Sequence, residues 1–118
     1  MDDPKVVLSI YGAEYDPAAD LKATDMDYIM FHSNAYMITI CENASIEIAI
    51  KETVAFFKKH KSTFDQIYEN SYMYNGSGFT LEFKDFDIKE EPIIPSEFLK
   101  VLSEHFITLS MHSCNFPS

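Results

Sequence analysis

The acidic stretch EFKDFDIKEEP, residues 82–92, concentrates side chains that could bind a cation. It contains five carboxylates and two lysines. A calcium loop uses oxygen ligands at alternate positions, but it also needs an internal glycine, and this stretch has none. The other two interpretations are a solvated strand end before a proline-bounded turn and an acidic surface for a basic partner. The partner-binding residues predicted on that surface are Asp85, Asp87, Glu90 and Glu91.

Four further side chains are candidate zinc ligands. They are His32, Cys41, His112 and Cys114. His112 and Cys114 lie two positions apart and would share one face of a strand. However, the chain has no CxxC or HxxxH spacing, so we interpret the four as ordinary core or edge residues. We expect no metal and no cofactor, and we expect the cysteines to be reduced thiols of a cytosolic protein.

The motifs of nucleophilic catalysis and phosphate binding are missing from the sequence. No GxSxG elbow is present, and the segment NGSG, residues 75–78, has neither the lysine nor the following helix start of a phosphate loop. The chain has three glycines in all, which leaves little material for catalytic loops. We therefore predict no catalytic residues and a protein that is not an enzyme.

Three tyrosines precede the NGSG segment, near the apex of a predicted hairpin. They are Tyr68, Tyr72 and Tyr74. Tyrosine is favoured at protein interfaces because its ring is rigid and apolar while its hydroxyl forms hydrogen bonds. The alternatives are that these rings cover the sheet or that they anchor a partner, and we include them in the predicted partner-binding set.

Length and charge restrict the class of protein. The 118 residues suit a single α+β domain over 1–118, and the net charge is −10 with no arginine in the sequence. Four lysines against one acid fall within residues 48–63, and the remaining segments are acidic. Such a surface repels nucleic acid and attracts basic proteins. The acidic start predicts no secretory signal, and no apolar run is long enough for a membrane span, so we expect a cytoplasmic protein.

Residue patterns predict an antiparallel or mixed sheet with two amphipathic helices on one face. Strands are expected over residues 5–12, 27–32, 35–41 and 79–83 and after residue 106, with a hairpin at Ser33–Asn34. A short helix is expected near Pro17. The two amphipathic helices are predicted over SIEIAIKETVAFFKKHK and PSEFLKVLSEH, the latter with Phe106 facing the core. The segment STFDQIYENSYMY, residues 62–74, remains ambiguous between a loop, a helical turn and one arm of a hairpin.

Three stretches together resemble a bacterial family. They are the opening strand with YGAEYDPAADL, the helix IEIAIKETVAFF and the ending IIPSEFLKVLSEHFITLSMHS. Their order is similar to that of the domain-of-unknown-function family catalogued as forty-two seventy-nine, over nearly the whole chain. The resemblance implies a small single-domain protein of the kind that often acts as an immunity or accessory protein near toxin genes. It implies no catalytic residues.

These observations lead to one functional hypothesis and two alternatives. We expect an acidic protein-binding module, specifically an immunity protein that neutralises a basic toxin, such as a nuclease, by occluding its active site. The alternatives are a small-molecule-binding α+β domain and a structural domain that oligomerises through a sheet edge. The sequence leaves the oligomeric state open.

Overall fold

Five strands and four helices are present in residues 3–12, 15–72, 78–86 and 94–113, which are those that the computed structural model describes. In chain order they are β1 (Lys5–Tyr11), α1 (Ala18–Lys22), β2 (Ile29–His32), β3 (Ala35–Glu42), α2 (Ile46–Lys59), α3 (Lys61–Tyr72), β4 (Gly78–Phe86), α4 (Ser96–Glu104) and β5 (Thr108–Ser113). This order confirms the predicted α+β class.

The strands form one mixed sheet in the order β2-β3-β1-β4-β5. The pairs β2–β3, β3–β1 and β1–β4 are antiparallel, whereas β4 and β5 are parallel. Helix α4 lies between β4 and β5 in the chain, as a parallel connection requires a crossover. Strand β2 is therefore one edge of the sheet and β5 is the other.

One face of the sheet carries the hydrophobic core. On β1 the buried side chains of Val6, Leu8 and Ile10 face this core, and Phe79, Leu81 and Phe83 of β4 lie in it. Each of the four helices contributes buried residues to the same cluster, for example Leu21, Ile50, Phe64 and Phe98. Residues of the other side, such as Val7 and Met37, are outside that cluster, and we call this side the open face of the sheet.

Two amphipathic helices were predicted to cover the sheet, but the described residues form four helices in all. Residues 61–72 form α3, so the hairpin arm considered for this segment is wrong. Helix α3 starts directly after α2, which ends at the His60 C-cap. Its Phe64 and Ile67, three positions apart, are fully buried in the core. The tertiary burial of these two side chains stabilises a helix whose other residues are mostly polar.

The predicted core position of Phe106 is also wrong. Helix α4 ends at Glu104, and Phe106 adopts a left-handed backbone conformation with φ 51° that leaves its side chain 70% exposed. Ile107 is buried instead, and its amide donates to the Leu102 carbonyl oxygen over 2.8 Å. The reversal of the chain after α4 therefore shifts the core position by one residue.

Candidate functional site

Of the four predicted acidic residues, the structure describes Asp85. It is half-buried on β4, next to a shift in the β4–β5 register, and its φ is 61°. Aspartate tolerates this left-handed conformation better than most residues. Asp87, Glu90 and Glu91 lie outside the described residues, so the predicted acidic surface stays a prediction.

Of the three predicted tyrosines, Tyr68 and Tyr72 lie in α3 and not beside a hairpin. Tyr68 lies in α3, where its half-buried ring contacts the rings of His105 at 5.6 Å and Phe106 at 6.0 Å. Tyr72 is the last residue of α3, and Tyr74 lies outside the described residues. Tyr68 therefore packs on the turn that follows α4, an arrangement that residue spacing alone did not indicate.

Tyr68 and Asp85 lie on different elements of the fold, α3 and β4. The Tyr68 ring adjoins His105, which in turn contacts Phe79 at a ring distance of 5.9 Å. Asp85 follows Phe79 by six positions on the same strand, which corresponds to roughly 20 Å at a rise of about 3.3 Å per residue. Whether the two residues belong to one interface stays a prediction.

The edge strand β2 is the most exposed apolar element of the described residues. The exposed fractions are 68% for Ile29, 63% for Met30 and 40% for Phe31, and that of the neighbouring Tyr11 is 42%. We call these four residues the edge-strand surface. Lysine and proline, which commonly protect edge strands against pairing, do not occur in the sequence of β2.

Local backbone geometry fixes the position of this strand. Ser33 and Asn34 form the turn between β2 and β3, and Asn34 has a φ of 58°, which suits a tight hairpin. Ile29 pairs with Met37 and Met30 with Tyr36, and the register shifts before His32. Ile29 therefore lies on the open face, while Met30 lies on the side of the core.

The open face has an aromatic recess beside β2. The rings of Tyr11 and Phe31 meet edge to face, with centroids 5.5 Å apart and an interplanar angle of 88°. They line a cavity of about 350 Å³ together with Gly12 and the β2–β3 turn. Such a recess could receive one side chain of a partner, as hot-spot pockets do.

Gly12 is required at the base of this recess. A Cβ atom at this position would lie 1.9 Å from the carbonyl oxygen of Tyr15, far inside contact distance. The Gly12 amide donates to the Asn34 carbonyl oxygen over 2.8 Å. The glycine thus allows the chain after β1 to pass close to the hairpin turn.

A second recess continues along the open face toward the start of β1. It has a volume of about 280 Å³, and its lining includes Val7, Ile29 and Met37 together with the charged side chains of Lys5, Asp27 and Lys84. Ile29 thus lies at the margin between an apolar strip and a mixed-charge zone. This combination of apolar centre and polar rim is typical of protein interfaces.

An aspartate-bound tyrosine holds β3 to the segment that follows β1. The Tyr36 hydroxyl donates to Asp16 Oδ1 over 2.7 Å, and that oxygen also accepts from the Ala18 amide over 3.0 Å. The hydrogen bond to Asp16, followed by burial, raises the pKa of Tyr36 to about 12. Tyr15 donates similarly to Asp20, and burial and this bond raise its pKa to about 12. Both phenols are therefore neutral donors at physiological pH.

The candidate zinc ligands are not gathered in the described part of the chain. His32 is exposed on β2, and Cys41 is buried on β3, where burial and the nearby Glu52 raise its pKa to about 11. Cys114 and the side chain of His112 are outside the description. Within the described residues, no three histidine, cysteine or acidic side chains lie close enough together to hold a metal ion. A thiol with such a raised pKa is a poor nucleophile.

Among the helices described, none has the length and apolarity needed to cross a bilayer. Comparison with known proteins found no matching family model, no matching curated protein and no matching solved structure.

The edge-strand surface was missed by sequence reasoning. The run YIMFH, residues 28–32, was assigned to a strand, but its exposure depends on strand order. A possible signal was the unbroken series Ile29, Met30 and Phe31, since an edge strand with one buried face more often alternates apolar and polar residues.

Proposed function

We propose that the protein is a protein-binding module whose edge-strand surface receives a basic protein partner. We further propose that it acts as a cytoplasmic immunity protein, and that its partner is a toxin whose active site it occludes. The observation that carries the proposal is the exposure of Ile29, Met30 and Phe31 on the edge strand β2.

The apolar character of this surface supports a macromolecular partner. Ile29 and Phe31 form an apolar patch with Tyr11 on the open face, and Met30 is exposed on the other side of the same edge strand. The outer edge of β2 also offers backbone groups that an incoming strand can pair with. A partner that adds a strand would bury the patch and these groups together.

The charge of the chain favours a basic partner over a second copy. Each chain carries −10, so two copies approaching one another repel, whereas a cationic protein is attracted over a longer range. Electrostatic attraction of this kind accelerates association, and the apolar centre then determines how slowly the complex dissociates. A nuclease is a suitable class of partner because its own substrate is anionic.

The direct test is co-expression with the product of the neighbouring gene. We expect that product to inhibit growth when it is expressed alone, and we expect this protein to relieve the inhibition and to co-purify with it. A neighbour that is harmless to cells and does not bind would refute the immunity role.

Two isoleucines provide a matched test of the binding surface. Ile29 is on β2, whereas Ile48 is on α2 and is 51% exposed. Fully burying an isoleucine contributes about 1.5–3 kcal/mol. Because Ile29 is 68% exposed in the free protein, its burial in a complex would contribute about 1–2 kcal/mol, so Ile29→Asn should weaken the complex roughly 5- to 30-fold. Ile48→Asn should change the affinity less than twofold. Calorimetric titration measures both.

The outcomes separate the alternatives. Equal effects of the two substitutions would place the interface elsewhere. Self-association of the unmodified chain in light scattering, abolished by Ile29→Asn, would support the oligomerising domain instead and would contradict the charge argument.

A further inference from the structure

A buried histidine lies where α2 meets α3. His60 is the C-cap of α2, and α3 begins at the next residue. The His60 amide donates to the Phe56 carbonyl oxygen over 3.1 Å, and the His60 carbonyl oxygen accepts from the Phe64 amide over 3.1 Å. The backbone of His60 therefore completes the last turn of α2 and starts the first turn of α3. We call His60 and the two adjoining turns, residues 56–64, the helix corner.

The ring of His60 is enclosed by apolar neighbours. Only 8% of the residue is exposed. The centroid of its ring lies 5.0 Å from that of Phe56 and 6.4 Å from that of Phe64, so one aromatic ring from each helix packs against it. Such surroundings suit a neutral imidazole, but they solvate a charged imidazolium poorly. A proton on this ring therefore weakens the contact between the two helices.

Two charged side chains act on the His60 ring in opposite directions. Asp25, in the segment between α1 and β2, has its Oδ1 atom 4.0 Å from His60 Nε2 and its Oδ2 atom 3.5 Å from Lys59 Nζ. On α3, the adjacent Lys61 pairs with Asp65 instead. Burial lowers the pKa of His60 below its ordinary value, Lys59 lowers it further, and Asp25 partly opposes both effects. The ring is therefore neutral at pH 7.

The two helices respond differently to a cation at the helix corner. Positive charge is favourable at the C-terminal end of a helix and unfavourable at its N-terminal end. A protonated His60 therefore suits the end of α2 but opposes the start of α3, whose first turn has no acidic residue. Five residues of α2 are buried, whereas Phe64 and Ile67 are the buried side chains described in α3. Of the two helices, α3 is thus the one that a proton on His60 releases more easily.

We propose that the helix corner is an acid-sensitive hinge: when His60 takes up a proton, α3 separates from the core while α2 and the sheet keep their positions. The separation hydrates the imidazolium and removes the N-terminal end of α3 from it. It also exposes Phe64 and Ile67, so the protein gains an apolar surface in mild acid. This hinge is separate from the edge-strand surface and does not depend on the proposed function.

The direction of the pH dependence follows from the two states of His60. When α3 is detached, the ring is solvated and titrates near its ordinary pKa of about 6.5. The attached state has a lower pKa, so its advantage is complete above pH 6.5 and is lost as the pH falls from 6.5 toward that lower pKa. Within this range the ratio of detached to attached α3 rises by at most about tenfold per pH unit.

Hydrogen exchange of the whole chain, followed by NMR, measures this ratio. Protection factors, which are corrected for the pH dependence of intrinsic exchange, are compared at pH 7.5 and pH 5.5. The protection of the Phe64 and Ile67 amides should fall about three- to tenfold. At both pH values these amides should be at least about tenfold less protected than that of Leu8 on β1, because α3 opens without the sheet. Equal protection in α3 and β1, or no pH dependence in α3, would refute the hinge.

Two histidine substitutions test whether His60 is the source of the pH dependence. His60→Leu has no titratable group at this position and should remove the pH dependence of protection in α3. His32→Asn, at an exposed histidine of β2, serves as the control and should leave it unchanged. A pH dependence that persists in His60→Leu would overturn the proposal.

Two charge substitutions decide the question even if His60→Leu does not fold. The side chains of Lys59 and Asp25 are 67% and 75% exposed, so their replacement leaves the core intact. Asp25→Asn should lower the pKa of His60 further, and Lys59→Gln should raise it toward its ordinary value. An NMR titration of the His60 ring resonances measures both pKa shifts. Shifts in the same direction, or a pKa of His60 at or above 6.5 in the unmodified chain, would contradict the charge arrangement on which the hinge depends.

Discussion

Removal of the Tyr36 hydroxyl should destabilise the protein in a pH-dependent manner. Tyr36 on β3 is almost fully buried, and its hydroxyl donates to the exposed carboxylate of Asp16 over 2.7 Å. The substitution Tyr36→Phe keeps the ring and its packing against Tyr28, which it meets edge to face at 5.6 Å. It therefore tests the hydrogen bond that connects β3, opposite Met30, to the segment after β1.

The magnitude has two parts. A hydrogen bond to a charged group contributes about 1.5–3 kcal/mol, and because water can solvate Asp16 in the variant, we expect a loss near 1.5 kcal/mol at pH 7. The folded state holds the pKa of Tyr36 at about 12, above its ordinary value of 10. This contribution is therefore complete below pH 10 and falls by about 1.4 kcal/mol per pH unit as the pH rises toward 12.

The assay is urea unfolding of both proteins at several pH values from 7 to 12. The free energies of unfolding of the two proteins should differ by a constant amount up to pH 10. Above pH 10 the difference should shrink, and it should reach zero at about pH 11. Tyr11→Phe, at a tyrosine that is 42% exposed, serves as the control and should parallel the unmodified chain. A difference that stays constant to pH 12, or no difference at pH 7, would refute the reasoning.

Two further substitutions test the backbone that positions the site. Gly12→Ala should destabilise the fold by about 2 kcal/mol or more, because the added Cβ would meet the Tyr15 carbonyl. At Gly78 the atom nearest to an added Cβ is 4.0 Å away, so Gly78→Ala should be tolerated. Thermal unfolding of the two variants checks this difference. Ser45→Ala should lower the free energy of unfolding in urea by about 1 kcal/mol, because the Ser45 hydroxyl caps α2 by accepting from the Ile48 amide. Ser62→Ala, at an exposed serine, serves as the control and should leave the stability nearly unchanged.

The elements in which apolar residues recur at a regular spacing were predictable from the sequence. In β1, strict alternation places Val6, Leu8 and Ile10 on one face, and the structure buries all three. In α2, helical spacing places Ile50, Val54 and Phe57 on one side, and these are buried as well. These patterns report the local period of the backbone, and burial of one face follows from it. The start of α2 also follows from local chemistry, because serine is a preferred N-cap residue and Ser45 directly precedes the helix.

Helix α3 and the site depend on contacts that local patterns do not record. The only strong apolar signals in α3 are Phe64 and Ile67, which are too few to distinguish a helix from a loop before the core is known. Similarly, the apolar series in β2 suited either a buried or an exposed strand. Its exposure follows from its position outside β3, which is determined by the order of all five strands.

The net charge of the chain bears on how fast a basic partner would associate. Lys58 and Lys61, which belong to the lysine-rich residues 48–63, lie in the helical layer and not on the open face. The open face carries mixed charge, because Lys5 and Lys84 lie there beside Asp27. The net charge of −10 therefore attracts a cationic protein to the molecule as a whole, and the apolar edge-strand surface would then determine where it stays bound. Raising the ionic strength should slow association with the partner while leaving the effect of Ile29→Asn on dissociation unchanged, since salt screens long-range attraction but does not alter apolar contacts. A salt-independent association rate would show that charge does not drive the encounter.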